Sequence, residues 1–315
     1  MRYPADWVAN NQRIAVVACI VLLMGVATIL RLLLVPHIVE HSVPPVLGAD
    51  PWYTARQIEL MVAHYPSYAW FDPMTAFPTG KMIDWGPLFP FLGASAAMLS
   101  GALARDEILF AAAFVPPVLA ALAVPLMYLL GRALYDWKAG LVAAAAIAII
   151  PGGYFLRTSF GFLDHHGAEV LFSTLFCLLY IVALRLAAER EFRISAAGES
   201  LYAGIAAAGA GLAFLLGLLV MPTMILFALI VTIFTFLQYV TAPSDRKACM
   251  ALAFVNTIAF SIVLVGYSLF MIQREGSSLA SYTVGHSYVS LFIVTGTLFL
   301  FLLSHLFGTD RRKFA

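Results

Sequence analysis

The stretch IAVVACIVLLMGVATILRLLLV, Ile14 to Val35, decides the fold class. It carries a single charge, Arg31, and exceeds the roughly 20 apolar residues that a bilayer core requires of a helix. It is too long for the apolar part of a signal peptide, and no small-residue cleavage site follows it. It therefore reads as a true first span. Comparable runs follow at 109–134, 138–156, 167–187, 199–218, 221–241, 249–271 and 289–306, with Pro151-Gly152 and Met221-Pro222 marking ends. The composition agrees. Of 315 residues 62% are hydrophobic and 11% charged, and the mean hydropathy is +0.92, which no soluble core could hide. The expected fold is an all-α polytopic membrane protein of about eight spans, because a helix satisfies every backbone group without help from lipid.

The charges orient the spans. Arg2 and Arg13 precede the first, Arg132 and Lys138 lie between the second and third, and Arg185, Arg190 and Arg193 follow the fourth. Arg246 and Lys247 follow the sixth, and Arg311, Arg312 and Lys313 the last. All fall on one side if both termini are cytoplasmic, as the positive-inside rule requires of a cell-membrane protein. This holds only if 88–104, apolar but short and opening with Pro87 and Pro90, is an interfacial or re-entrant helix. The outer loops are then 36–108, 157–166 and 272–288, within a membrane domain over 1–308 and a cytoplasmic tail or truncation point at 309–315. Eighteen basic against seventeen acidic residues leave +1, which excludes an electrostatic footprint for nucleic acid. Cys19, Cys177 and Cys249 each sit in an apolar run and read as small buried hydrophobes rather than a disulfide or zinc framework.

Two outer segments hold the residues that can carry chemistry. In Gly48-Ala49-Asp50-Pro51-Trp52-Tyr53, the acid before proline is also the usual signature of a helix start. Trp52, Tyr53, Trp70 and Trp85 also suit a membrane interface. The second segment, Arg157-Thr158-Ser159-Phe160-Gly161-Phe162-Leu163-Asp164-His165-His166-Gly167-Ala168-Glu169, concentrates two acids and two imidazoles at the mouth of a span. Asp164 there can cap the helix, but such a cluster is costly unless paired or used. Asp164 and His166 can reach one cation, and carboxylate with imidazole suits Mn2+ or Mg2+ better than structural zinc. At the membrane surface such an ion neutralises a lipid-linked phosphate or diphosphate leaving group, and Arg157 can bind its oxygens or anchor a span end. His286 reads as structural or solvated, and Arg31 as snorkelling from the span end.

At these two segments the chain resembles the catalytic subunit of oligosaccharyltransferases, in particular the archaeal-type single-subunit enzymes. The matching stretches are Gly48 to Tyr53, Pro78-Thr79-Gly80, Trp85-Gly86-Pro87-Leu88, Ala139-Gly140-Leu141 through Pro151-Gly152 and Arg157-Thr158, and Gly161 to His166. The second acidic motif takes the Asp-x-His form of archaeal-type members. The resemblance implies a GT-C type transmembrane helix bundle with interfacial helices in its long first outer loop. It also implies transfer of an oligosaccharide from a polyprenyl phosphate or diphosphate carrier to asparagine in Asn-x-Ser/Thr. On that carry-over Asp50 is catalytic, contacting the acceptor amide and ligating the metal. Asp164 and His166 complete the protein ligands, with His165, Arg157 and Glu169 as neighbours.

Family members also carry a Thr-Ile-x-Glu-like motif in a later outer loop and a soluble C-terminal domain with a Trp-Trp-Asp-Tyr-Gly-like motif. Neither occurs in these 315 residues. The chain is thus expected to be the N-terminal membrane part of a longer or split enzyme, needing a C-terminal half or partner chain for full transfer. The competing classes are another GT-C transferase using lipid-phosphate sugars, and a membrane transporter. A transporter would place ionisable groups near the midplane of several spans, whereas here they gather at the outer rim.

Overall fold

Proline, glycine and side-chain caps set where the apolar runs become helices. The computed structural model describes residues 5–189, 199–271 and 274–307. Arg2, Arg190, Arg193, Arg311, Arg312, Lys313 and the expected tail at 309–315 lie outside the described residues. The chain divides into two compact units, Met1–Ile83 with Pro87–Thr174, and Asp84–Gly86 with Leu175–Ala315.

The first unit contains α1 (Ala5–Arg31), α2 (Val35–Glu40), α3 (Ala49–Ala63), α4 (Leu88–Ser100), α5 (Arg105–Ala112), α6 (Val115–Leu134), α7 (Trp137–Ile149), α8 (Gly153–Arg157) and the first turns of α9 (His166–Glu189). A small antiparallel pair, β1 (Phe71–Asp72) with β2 (Lys81–Met82), lies between α3 and α4 in sequence. Asp72 anchors this hairpin, accepting from Arg56 Nε and Nη2 at 3.1 Å, from the Met74 N–H at 2.9 Å and from Thr75 Oγ1 at 3.0 Å. Val16 and Ala27 of α1 pack with Val124 and Tyr128 of α6 and Ala144 and Ala148 of α7. Gly131 and Gly140 let α6 and α7 touch backbone to backbone. A Cβ on Gly140 would lie 2.6 Å from the Tyr128 carbonyl oxygen, the small-residue crossing usual in membranes.

Seven helical stretches among the described residues are long and apolar enough to cross a membrane: Asn11–Glu40, Arg105–Leu134, His166–Glu189, Leu201–Val220, Pro222–Thr241, Arg246–Phe270 and Val284–Phe307. The segment 88–104 forms the 13-residue α4, short of that length and closed by Gly101 in the left-handed region. The expected third span, 138–156, differs from expectation. It is a 13-residue helix, α7, that stops at Ile149 and resumes as the five-residue α8. The cause is local. Ile150 precedes Pro151 and is extended, at φ −60° and ψ 122°, because proline disfavours the helical conformation before it. Pro151 also has no N–H to offer the Ile147 carbonyl.

Arg31 fills that gap, which corrects the snorkelling expectation. Its side chain is 1% exposed. Nη1 donates to Ala148 O at 2.9 Å and to Ala27 O at 3.1 Å, Nη2 to Ile147 O at 3.4 Å, and Nε to Thr158 Oγ1 at 2.8 Å. A cation at a helix C-terminus is favoured by the orphan carbonyls there, so the burial of this charge follows from the break in α7.

The second unit contains the remainder of α9, α10 (Glu199–Val220), a 3-10 turn at Pro222–Met224, α11 (Ile225–Thr241), α12 (Arg246–Phe270) and α13 (Val284–Phe307). Its polar core is Asn256, fully buried. Asn256 Oδ1 accepts from Tyr180 OH at 2.7 Å, and Nδ2 donates to Thr235 at 2.9 Å and Thr297 at 3.1 Å. One side chain thus ties α9, α11, α12 and α13 with neutral hydrogen bonds. His286 opens α13, buried, with Nε2 3.2 Å from Pro222 O, a structural role. The three cysteines are free, and Cys19, expected buried, is exposed, with exposed Leu22 one turn further along α1.

Candidate functional site

The loop between α8 and α9 is built to hold one carboxylate in place. Phe160 anchors its start, fully buried beside Ile38 and Ala113 and edge-on to Phe110 and Phe114. Leu163 anchors its end in the cluster of Val46, Ile58, Met61 and Leu109. The Phe160 N–H donates to Arg31 O at 3.0 Å, and the Asp164 N–H to Phe162 O at 2.8 Å. Burying Phe160 and Leu163, four residues and one residue before Asp164, leaves the acid little freedom to withdraw into water.

Asp164 is 2% exposed. Its Oδ1 accepts the His165 backbone N–H at 2.8 Å and lies 2.6 Å from His165 Nδ1, while Oδ2 lies 3.2 Å from His166 Nε2. Burial by itself would raise the carboxyl's pKa. The hydrogen bonds from His165 and His166 outweigh it and hold the group well below the usual carboxylate range, so Asp164 is ionised at neutral pH. Asp164, His165 and His166 each offer one ligand atom within 4.8 Å of the others.

Glu169, one turn into α9, faces both rings. Its Oε2 lies 3.2 Å from His166 Nδ1 and 3.6 Å from His165 Nε2. Nη1 of the exposed Arg157 contacts His166 Nε2. A single ring nitrogen cannot accept from a guanidinium and donate to Asp164 at once. A cation bound here would displace the Nε2 proton that faces Asp164, while the Nδ1 proton stays donated to Glu169, which is how an outer carboxylate orients a histidine ligand. The donor set of one buried carboxylate and two imidazoles therefore fits a divalent metal.

Asp50 lies on the neighbouring segment and outside the 4.8 Å group. The helix-start expectation for Asp50-Pro51 is shifted: Gly48 is the N-cap, α3 begins at Ala49, and Asp50 sits exposed in the first turn with no side-chain cap bond. The two acidic segments are tied by backbone, the Leu47 N–H donating to Gly161 O at 2.8 Å. Each segment needs a glycine here. Gly161 has φ +85°, and a Cβ there would lie 3.2 Å from Pro45 O and from Leu47 Cγ. Gly48 has φ +90° and faces the Phe162 ring. Sequence reasoning missed Arg31 and Thr158 as supports of this loop. The only signals were the glycine preceding each acid and a lone arginine in an apolar run.

A family model described as oligosaccharyl transferase STT3, N-terminal, matches residues 14–309. The chain belongs to this STT3 family. Dolichyl-phosphooligosaccharide-protein glycotransferase 3 of Archaeoglobus fulgidus is 30% identical over 257 residues, which are 79% of this chain and 28% of the relative. Dolichyl-monophosphooligosaccharide–protein glycotransferase AglB of Haloferax volcanii is 35% identical over 147 residues, 46% of this chain and 14% of the relative. The fold is the GT-C membrane fold of the archaeal enzymes. The A. fulgidus AglB in complex with an inhibitory peptide and a dolichol-phosphate superposes with a TM-score of 0.83 at 23% identity, covering 95% of this chain and 34% of that one. An A. fulgidus oligosaccharyltransferase in complex with Zn and sulfate gives 0.80 at 25% identity, covering 94% and 38%. This STT3-family chain thus spans less than two fifths of the length of these relatives.

Proposed function

We propose that this chain is the membrane-embedded catalytic part of an oligosaccharyltransferase, moving an oligosaccharide from a polyprenyl phosphate or diphosphate to asparagine in Asn-x-Ser/Thr. Full transfer draws on chain beyond these 315 residues, in the same polypeptide or a partner. The observation that carries the reading is the Asp164-His165-His166 cluster on a loop hydrogen-bonded to the Asp50 segment, in a chain of the STT3 family. The Zn and sulfate in the A. fulgidus complex support a metal-binding, anion-accepting site.

In this reading Asp164, His166 and Asp50 hold a divalent ion, Mn2+ or Mg2+, which when bound supplies Lewis-acid neutralisation of the phosphate leaving group. Asp50, exposed in the first turn of α3, takes the acceptor amide by hydrogen bonding. Arg157 binds phosphate oxygens, and Glu169 keeps the His166 proton on Nδ1. The loops bearing Asp50 and Asp164 face outward from the cell membrane and both termini are cytoplasmic. This topology counts α7 and α8 together as a crossing. A helix interrupted by proline crosses lipid when neighbours satisfy the freed carbonyls, as Arg31 does here.

The test is in-vitro glycosylation of a fluorescent Asn-x-Thr peptide, using lipid-linked oligosaccharide, Mn2+ and membranes bearing this chain. It is run with and without the C-terminal half of a related enzyme. Metal-dependent transfer with the added half, lost in Asp50→Ala and His166→Ala, is the expected result. Absence of transfer in both arrangements, while a full-length relative works alongside, overturns the reading.

A further inference from the structure

A cavity with a partly polar lining lies at the opposite end of α1 from the Asp164 loop. Its volume is about 780 Å3, within the usual range for ligand sites. Arg13 of α1 and Arg132 of α6 both line it. Arg13 stands eighteen residues before Arg31, about 27 Å along the helix, so this cavity is remote from the residues assigned to transfer.

The lining is graded from charged to apolar. On α1, Arg13 gives way one and two turns further on to Val17 and Ile20, with Val17 59% exposed. On α6, Arg132 stands one turn beyond Tyr128, and Tyr135 and Trp137 complete the rim. Aromatic side chains of this kind mark the headgroup level of a membrane. The acid in the lining is Asp136, whose Oδ1 accepts the Ala139 N–H at 2.8 Å to cap α7. Among the described side chains neither arginine is in an ion pair, so two permanent cations face one carboxylate already engaged by backbone. Arginine is the residue suited to phosphate oxygens, and basic pockets between membrane helices take lipid headgroups.

We infer that this cavity binds an anionic membrane lipid, its phosphate between Arg13 and Arg132 and an acyl chain against Val17 and Ile20. The shared chemistry, a phosphate, could also come from inorganic phosphate, and the test separates the two. The site rests on α1 and α6 crossing the membrane and is independent of the transferase reading.

The full chain is purified in detergent, stripped of lipid and titrated by native mass spectrometry with phosphatidylglycerol, phosphatidylcholine and inorganic phosphate. Wild type is expected to retain phosphatidylglycerol selectively. Arg13→Gln with Arg132→Gln should weaken it about thirtyfold, as two headgroup contacts of ordinary strength require, and Arg13→Gln alone about fivefold. Arg13→Lys with Arg132→Lys should restore most of the binding. Arg246→Gln with Lys247→Gln, an equal charge loss elsewhere, should leave it unchanged. Should the double glutamine variant fail to fold, the single variant and the lysine pair carry the test. Equal retention of phosphatidylcholine, displacement by inorganic phosphate at matching concentration, or no loss in Arg13→Gln overturns the proposal.

Discussion

Two of the charges buried in the first unit, Arg31 and Asp164, are satisfied in opposite ways. Arg31, 1% exposed, is held by the carbonyls of Ala27, Ile147 and Ala148 and by the Thr158 hydroxyl. Three of those four partners are backbone atoms fixed by helices. Asp164, 2% exposed, is held largely by His165 and His166, whose rings are partly open to solvent. A charge saturated by backbone does structural work, because nothing can exchange for its partners. A charge saturated by imidazoles can give them up to a cation at little cost, because the rings are themselves ligands.

The largest expected effect tests the second half of that contrast. Asp164→Asn keeps the size and removes the charge, so metal-dependent transfer by the completed enzyme should fall about a hundredfold, a loss that persists in the folded fraction beyond whatever stability the depressed carboxyl contributes. A large loss of stability with activity retained in the surviving folded fraction would break the comparison. Arg31→Leu should do the reverse. It strands the Ile147 and Ala148 carbonyls, and the lost charged hydrogen bonds imply about 3 kcal/mol or more, read as a drop in thermal unfolding midpoint in detergent. Intact stability in Arg31→Leu would mean that α7 ends soundly without it.

Asn256 sharpens the comparison from the second unit, since its buried node is neutral throughout. Asn256→Leu should cost about 0.6 to 1.7 kcal/mol, the range for polar contacts between membrane helices, with unchanged metal affinity. A loss as large as that of Arg31→Leu would show that charge is not what distinguishes these nodes.

The smallest effect concerns Asp72, a third buried charge of the unit, whose pKa responds to opposing influences. Burial raises it, but the Arg56 side chain, the Met74 N–H and the Thr75 hydroxyl together bring it below the ordinary value. A depressed folded-state pKa means stability that is full above the ordinary aspartate range near pH 4 and lost as pH falls through the folded value. Amide exchange around 71–82 should therefore accelerate only below about pH 4, and Asp72→Asn should abolish that dependence. Acceleration beginning well above that range would show that Asp72 is not its source.

Much of this was legible before any coordinates. Runs such as Ile14 to Val35 are apolar enough that lipid is their only good solvent, and the acids and imidazoles from Asp164 to Glu169 are close enough in sequence that their meeting was expected. The break in α7 was half legible. Pro151 announced it, yet the apolar run continued to 156, and hydropathy counts residues without regard to missing N–H groups. Arg31 was misread because sequence alone gives its depth along the helix and not its neighbours, so a charge near a span end looks free to snorkel.

Composition and pattern by themselves determined that the chain lives in lipid, where its helices lie and which residues are chemically competent, because those properties are local sums over side chains. Only the tertiary structure decided which of them meet. Leu47 bonding to Gly161 and Arg31 reaching Ala148 and Thr158 span more than a hundred residues, and such contacts depend on how helices cross rather than on any spacing along the chain. The same holds for Glu169 beside His166. Their separation allows contact on a helix, but which ring nitrogen Glu169 takes, and hence which is left for a cation, is set by the turn that precedes α9.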